Sequence, residues 1–202
     1  MRLVRLYFYP SSTKAPRIVN TSAHMAVSSD GGDASSKASE QKLQDAFARC
    51  QDELLGTLYH LVGDREDACD ALQDTFVKCW RNRHKVDEIE NLKAWIFRIA
   101  LNTGRDLRQA AWRRRKKALG EEEGMLESRS AGPQDRAQHD EQVERLRAAV
   151  SQLRAEEQEV FLLRQNAQMT YEEIAEALKL PSGTVKTRMR LALNKLREKL
   201  AE

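Results

Sequence analysis

Apolar residues spaced three and four positions apart are the feature that most constrains the fold of this 202-residue chain. Such spacing predicts helices that each bury one face. Nine Gly and four Pro are too few for a turn-rich β protein, and the 32% of charged residues favours small helical modules with wide solvated faces. The predicted fold class is therefore all-α, with two small helical domains joined by a flexible acidic linker. The clearest apolar stripe consists of Leu54, Leu55, Leu58, Tyr59 and Val62.

Changes in composition divide the chain into four segments. Residues 1–39 are rich in Ser and Ala and show no sustained period, so we expect a disordered extension. The first helical domain is predicted at 40–117 and the second at 140–202. Between them, residues 118–139 have the Gly, Ser, Pro and acidic composition of a linker. Because no apolar run reaches the roughly 18–20 residues of a membrane span and three scattered Cys predict no disulfide framework, we expect a cytoplasmic protein without membrane insertion.

Polar capping residues predict where the helices begin and end. Gly63 breaks the first stripe, and the Asp64 carboxylate is expected to cap the next helix. The polar stretch at 81–90 is interpreted as a loop, after which Asn91 caps a third helix. In the second half, Asn166 is expected to end a helix in the left-handed conformation.

The C-terminal residues predict a helix-turn-helix, with helices at 171–179 and 183–199 and a three-residue turn between them. Thr170 and Glu173 form a capping box at the first helix, and Ser182 caps the second. The expected inward stripe is Val185, Met189, Ala192, Leu196 and Leu200. The outward face, whose early positions suit base edges in a major groove, offers Ser182, Thr184, Lys186, Thr187, Arg188, Arg190 and Lys195. An ordinary helical hairpin with a solvated basic face is the alternative.

The formal net charge of +3 conceals four charged blocks. Residues 40–76 carry nine acids and three bases, whereas residues 98–117 carry eight bases and one acid. Residues 121–144 are again acidic, and residues 179–199 carry seven bases and one acid. Clustered bases are expected where a protein meets phosphate backbones, although solvated helix faces explain the charge alone equally well.

Catalytic chemistry finds little support in the sequence. A row of acids on the second helix suggests a metal site, but no His or Cys completes a usual ligand set, and a charged face for a basic protein partner is favoured. Cys50, Cys69 and Cys79 fit buried thiols, and no glycine-rich phosphate loop is present. We therefore predict no catalytic residues, no metal and no cofactor, with a metal-dependent nuclease as the alternative. The acids of that row are Asp64, Glu66, Asp67, Asp70 and Asp74.

Several segments resemble bacterial sigma factors. The run at 61–80, LVGDREDACDALQDTFVKCW, resembles their segment that binds core RNA polymerase. The run at 95–108, WIFRIALNTGRDLR, is similar to the segment that recognises the promoter −10 element. YEEIA at 171–175 and PSGTVKTR at 181–188 resemble the domain that reads the −35 element. Two such domains with only a short acidic linker are the layout of the extracytoplasmic function (ECF) sigma factors.

The resemblance implies an alternative sigma factor, a non-enzymatic protein that binds core polymerase and directs promoter-specific initiation. Its acidic helix would dock on the β′ clamp helices, and its −10 surface would combine the loop at 81–91 with the third helix. A partner anti-sigma factor is also implied. The implied docking residues are Asp70, Gln73, Asp74 and Phe76. The implied −10 residues are Asn102, Arg105, Arg108, Arg113, Arg114 and Arg115, and the implied −35 residues are those of the outward face from Ser182 to Arg190.

Two further expectations come from the resemblance. The apolar surface around Leu162 and Leu163, or the last helix, would meet the β flap of the polymerase. Asn166 and Lys179 stand where glycine is common in the family, so both are expected to adopt their backbone conformation at some strain. From the residues alone, a helix-turn-helix regulator whose N-terminal domain dimerises or senses a ligand stays the alternative function.

Overall fold

The structure is a computed structural model that describes residues 33–119 and 139–201, and the side chains at 36–114 and 144–201. Every regular element in these ranges is helical, which confirms the all-α fold class. The predicted linker falls mostly on residues 120–138, outside the described residues, as do residues 1–32 of the N-terminal extension. The elements are α1 (Asp33–Val62), α2 (Arg65–Arg81), a 3₁₀ helix (Arg83–Glu88), α3 (Leu92–Leu119), α4 (His139–Ser151), α5 (Ala155–Gln165), α6 (Tyr171–Leu178) and α7 (Ser182–Ala201).

Helices α1, α2 and α3 pack against one another around an apolar core. Gly104 lets α3 approach α1 closely, since a Cβ there would lie 2.8 Å from Cδ2 of Leu61. The ring of Phe47 meets that of Phe76 edge-on, with centroids 5.1 Å apart. Each fully buried aromatic or aliphatic side chain stabilises the folded state by about 1.5–3 kcal/mol. The packed core therefore holds the three long helices together.

The predicted caps of the first domain are confirmed. Oδ1 of Asp64 accepts hydrogen bonds from the backbone N–H groups of Glu66 and Asp67, at 2.8 and 3.0 Å. Asn91 likewise accepts from the N–H of Ala94 at 3.0 Å. Both side chains satisfy N–H groups that the first helical turn leaves without partners.

The N-terminal boundary differs from the prediction. Helix α1 begins at Asp33, so residues 33–39, expected to be disordered, are helical. Ser39 is buried and donates a hydrogen bond to Asp87, which lies in the 3₁₀ helix. Because this stabilisation comes from a distant segment, the local composition of residues 33–39 did not reveal it.

Helices α4 to α7 form the second helical unit, with α6 and α7 as the helix-turn-helix. The capping box is confirmed, since Oγ1 of Thr170 accepts from the N–H of Glu173 at 3.1 Å and the Glu173 carboxylate accepts in return at 2.7 Å. Lys179 takes the left-handed conformation, with φ 54° and ψ 47°, as expected for a residue that stands where glycine is common.

Two expectations for the second unit are wrong. Asn166 ends α5 as expected, but its backbone is right-handed, with φ −85°. The left-handed residue after this helix is Gln168, where φ is 51°. Leu200 is 41% exposed instead of inward-facing. Residues 197–201 are all exposed, so the last turn of α7 projects beyond the core that buries Val185 and Leu196.

Candidate polymerase and DNA interfaces

An open acidic stripe runs along α2. Asp70, Gln73 and Asp74 are exposed, and their spacing of three and four residues puts them on one helical face. Val77 extends the stripe and is 44% exposed. The sequence reasoning missed Val77, although its position seven residues after Asp70 placed it on the same face. Acids around an exposed apolar side chain suit a basic helical partner.

Phe76 differs from the other predicted docking residues. Its ring packs edge-on against Phe47 and stacks on Trp80 with a centroid separation of 5.9 Å. The side chain is half-buried, so it supports the acidic stripe from the core side. Asp70, Gln73 and Asp74 are the predicted docking residues that the structure brings together on the surface.

The acids of α2 lie along an open face, and no three His, Cys, Asp or Glu side chains within the described ranges could together hold a metal ion. Burial raises the pKa of the Cys50 and Cys79 thiols to about 12. These thiols therefore stay protonated near neutral pH and lack the reactive thiolate form. None of the helices in the described part of the chain is long and apolar enough to cross a membrane.

Arg105, predicted to contact the −10 element, already has a partner in the second unit. Its Nε and Nη2 donate to the two carboxylate oxygens of the buried Glu159 in α5, at 2.6 and 2.5 Å. Its Nη1 donates to Oδ1 of Asn102 at 2.9 Å. The hydrogen bond with Glu159 raises the pKa of Arg105 above its ordinary value. Charge-assisted pairs of this bidentate kind are among the strong hydrogen bonds of proteins.

Other bases of α3 also bind the second unit. Nε of Arg98 donates to the carbonyl of Ala177 at 3.1 Å, and Nη2 donates to the carbonyl of Glu176. These carbonyls end α6, where the helix dipole favours a cation. Nζ of Lys93 donates to the carbonyl of Ala167 at 2.7 Å. A cleft of about 170 Å³ remains between the two units, lined by Arg98, Leu101, Asn102, Arg105, Ala177, Leu178 and Lys179.

Gly56 permits the closest approach of the two units. A Cβ at this position of α1 would lie 2.8 Å from Nδ2 of Asn166, which follows α5. That distance is shorter than a non-bonded contact allows. An alanine at position 56 would therefore have to displace the amide group of Asn166, so the glycine makes room for the end of α5 against α1.

The C-terminal part of α3 offers a more open basic surface. Arg108, Arg113 and Arg114 are exposed, and Trp112 beside them is 46% exposed. Arg113 donates within its own helix, to the carbonyl and side chain of Gln109. The side chain of Arg115, also predicted to bind here, lies outside the described residues. Three of the predicted −10 residues thus share one accessible stretch of α3.

The outward face of α7 is accessible. Lys186, Thr187 and Arg190 are exposed, whereas Ser182, Thr184 and Arg188 are half-exposed. Among the described side chains, no carboxylate forms an ion pair with a base of this group. Lys195, expected on the same face, instead donates to both carboxylate oxygens of the buried Glu157 at 2.7 Å. It fixes α7 to α5, so the predicted face ends before it.

The expected apolar contact around Leu162 and Leu163 is wrong, because both side chains are fully buried. Helix α5 packs against α1, α6 and α7, so it is enclosed and its apolar face belongs to the core. The exposed large apolar residues of α7 are Leu191 and Leu200, each 41% exposed.

Comparison with known proteins places both halves in one family. The family model for sigma-70 region 2 matches residues 46–117, and that for sigma-70 region 4 matches residues 143–196. The RNA polymerase sigma-E factor of Streptomyces coelicolor is 34% identical over 152 residues, which cover 74% of this chain and 81% of that protein. The ECF RNA polymerase sigma factor SigE of Mycolicibacterium smegmatis is 29% identical, over 71% of this chain and 56% of that protein.

A solved structure has a similar fold. The sigma factor RpoE of Bartonella quintana, in complex with the anti-sigma factor NepR, aligns with a TM-score of 0.57 and 26% identity, over 82% of this chain and 98% of that one. The order of the two matched regions, the length of chain covered and the shared fold all indicate the same family. This chain belongs to the extracytoplasmic function (ECF) sigma factors of the sigma-70 family.

Proposed function

We propose that the protein is an alternative sigma factor that binds core RNA polymerase and directs initiation at promoters with its own −10 and −35 elements. The observation that carries this proposal is the acidic stripe of α2, an exposed protein-binding face beside two basic surfaces. A helix-turn-helix regulator needs the basic surface of α7 but no such face. Sigma factors make or break no bond themselves, so we assign no catalytic residue, metal or cofactor.

The α2 stripe is the proposed contact with core polymerase. Asp70 and Asp74 would pair with bases on the β′ clamp helices, and Gln73 would add a hydrogen bond. The exposed Val77 at the C-terminal end of the stripe would add apolar contact area to this interface. The exposed apolar residues of α7, Leu191 and Leu200, are the proposed contacts with the β flap.

The α3 surface is the proposed −10 reader. Arg108, Arg113, Arg114 and Arg115 would hold phosphates, which fix register without reading sequence. Asn102 and Arg105 would contact bases together with the segment at 81–91. One base would leave the stack, at a cost of a few kcal/mol that its pocket must offset.

The α7 surface is the proposed −35 reader. Its N-terminal residues are the ones that a recognition helix presents to base edges in the major groove. Arg188 and Arg190 suit bidentate contacts with guanine, and Lys186 suits a base edge or a phosphate. Ser182, Thr184 and Thr187 complete the surface with hydroxyl groups.

An anti-sigma factor is a further proposed partner, since the solved Bartonella relative is bound to one. Because core polymerase and promoter DNA are cytoplasmic in bacteria, we propose that the protein acts in the cytoplasm. Promoter DNA would compete with the contacts that now join the two units, because Arg105 of α3 is bound to Glu159 of α5.

Reconstituted transcription with core polymerase on a randomised promoter library tests the proposal. Transcripts should depend on this protein and share −10 and −35 sequences. Asp74→Ala should weaken core binding, whereas Asp52→Ala, an exposed acid on α1, should leave it unchanged. Promoter binding without any dependence on core polymerase, unaffected by Asp74→Ala, would instead support the regulator.

A further inference from the structure

We propose that the start of α1 sets the shape of the −10 reading segment, making Ser39 and Glu40 positioning residues for −10 selectivity. This inference rests on the proposed function, which assigns the segment at 81–91 to the −10 element. The residues act through the 3₁₀ helix Arg83–Glu88 and do not themselves touch DNA. We call their contacts with it the α1 clamp.

The α1 clamp holds the 3₁₀ helix at both ends. At its first residue, Nε of Arg83 donates to Oε1 of Glu40 at 2.8 Å. Near its last residue, Oγ of Ser39 donates to Oδ2 of Asp87, and Ser39 is only 5% exposed. Lys42 adds a hydrogen bond to the carbonyl of Val86 at 3.4 Å.

These contacts differ in how much each is expected to stabilise the 3₁₀ helix. Lys42 lies 3.5 Å from the Asp87 carboxylate, but both side chains are about half exposed, and such pairs contribute little in water. The Ser39 hydroxyl is buried, which protects the donor of its bond to Asp87 from water, whereas the Asp87 acceptor is about half exposed. The Glu40 carboxylate is 28% exposed, which places its bond with Arg83 between the two.

The 3₁₀ helix needs external support. Helices of this type have poorer hydrogen-bond geometry than α-helices and are uncommon beyond three or four residues, whereas this one spans six. Its single buried side chain among the described residues is Val86. Arg83 also lies over the ring of Trp80, 5.2 Å from the centroid. The α1 clamp therefore supplies much of what fixes its backbone.

The clamped helix presents its other side outward. His84, Lys85 and Glu88 are exposed, and these are the side chains that a displaced base could reach. Because the α1 clamp fixes the side of the 3₁₀ helix that faces α1, it also determines the positions of these three exposed side chains. A base pocket held more loosely accepts wrong bases at a smaller penalty.

The residues that α1 contributes to the clamp lie outside the part of the chain that the sigma-70 region 2 model matches. The match to sigma-70 region 2 begins at residue 46, whereas Ser39, Glu40 and Lys42 precede it. The clamp thus couples a part of α1 outside the matched region to a segment inside it.

The experiment compares reconstituted transcription at a preferred promoter with that at promoters carrying one changed base in the −10 or the −35 element. A mismatch typically costs on the order of ten- to a hundredfold in affinity. The double variant Ser39→Ala/Glu40→Ala should reduce the −10 penalty to about threefold and leave the −35 penalty and core binding unchanged. Asp45→Ala, an exposed residue of α1 that accepts only from Gln41 among the contacts described, is the matched control.

The conservative variant Glu40→Gln keeps an acceptor oxygen and should retain most of the −10 penalty. An unchanged −10 penalty in the double variant would overturn the inference. So would an equal loss at every promoter, because that indicates general destabilisation. If the wild-type protein gave no core-dependent transcription, the proposed function itself would fail, and the clamp with it.

Discussion

The basic surfaces of α3 and α7 have similar compositions but differ in what they bind within the chain. Arg98 and Arg105 of α3 are held by carbonyls and a carboxylate of the second unit. Lys186 and Arg190 of α7 point to solvent. The proposed −35 surface is therefore accessible in this arrangement, whereas part of the proposed −10 surface is bound to the second unit.

Under the proposed function, Arg105 has two competing partners, Glu159 and promoter DNA. Its guanidinium cannot hold Glu159 in a bidentate pair and also contact DNA. Glu159 is buried, and a buried carboxylate that loses its partner is strongly destabilising. The two units must separate, and water must reach Glu159, before Asn102 and Arg105 can contact a −10 element.

The largest expected effect is that of Glu159→Ala. It removes the bidentate partner of Arg105, and breaking a fully buried pair costs about 3–5 kcal/mol; because Arg105 is 42% exposed, we expect about 2 kcal/mol in the contact between units. Binding of a single-stranded −10 oligonucleotide, followed by fluorescence anisotropy without core polymerase, should become tighter. Glu172→Ala, which removes an exposed acid of α6, should change this affinity little. Equal affinities for the two variants would show that Glu159 does not hold Arg105 away from DNA.

Gly56→Ala should also separate the units. The added methyl group would lie 2.8 Å from Nδ2 of Asn166, and overpacking of this kind costs about 1–3 kcal/mol. Alanine is about 1 kcal/mol better than glycine inside a helix, so α1 itself should not weaken. Small-angle X-ray scattering should show a larger radius of gyration with unchanged helix content, and an unchanged radius would argue against the close approach.

Arg188→Ala tests the accessible basic surface of α7. If Arg188 makes a bidentate base contact, its loss should cost about 1–3 kcal/mol at the −35 element and relax base preference there. The measurement is promoter binding by the reconstituted holoenzyme across −35 variants. Arg197→Ala, near the far end of α7 and exposed, is the control, and an unaltered −35 preference in Arg188→Ala would remove this residue from the reader.

The smallest effect is expected from Arg98→Ala. It removes two hydrogen bonds to the carbonyl end of α6. Because water can replace these bonds at a partly exposed site, we expect a combined net loss of about 1 kcal/mol. The units should separate slightly, with a modest gain in −10 oligonucleotide binding that is smaller than for Glu159→Ala. A gain in oligonucleotide affinity larger than that of Glu159→Ala would show that the principal contact between the units is at the end of α6, not at Glu159.

Local signals in the sequence predicted most of the fold. Asp64 and Thr170 were recognisable as caps because their partners lie within three residues. The resemblance indicated a left-handed conformation at Lys179, because glycine is common at that position in the family. The two caps depend on neighbouring residues, which the sequence displays directly.

Long-range partners could not be predicted in the same way. Glu159 is one acid among several, and nothing near it in the sequence points to Arg105. The resemblance implied an apolar surface at Leu162 and Leu163, and no neighbouring residue in the sequence indicates that α1, α6 and α7 all pack against this helix. The helical start of α1 depends in the same way on Asp87, far along the chain.

The most direct test of the competition at Arg105 is the distance between the two units in solution. Fluorophores placed by cysteine-independent chemistry at Gln41 and Arg197, both exposed, would report it by energy transfer. High transfer in the free protein and a marked fall on adding core polymerase with promoter DNA are the predicted results. Transfer that stays the same in both states would contradict the claim that the −10 surface must first release the second unit.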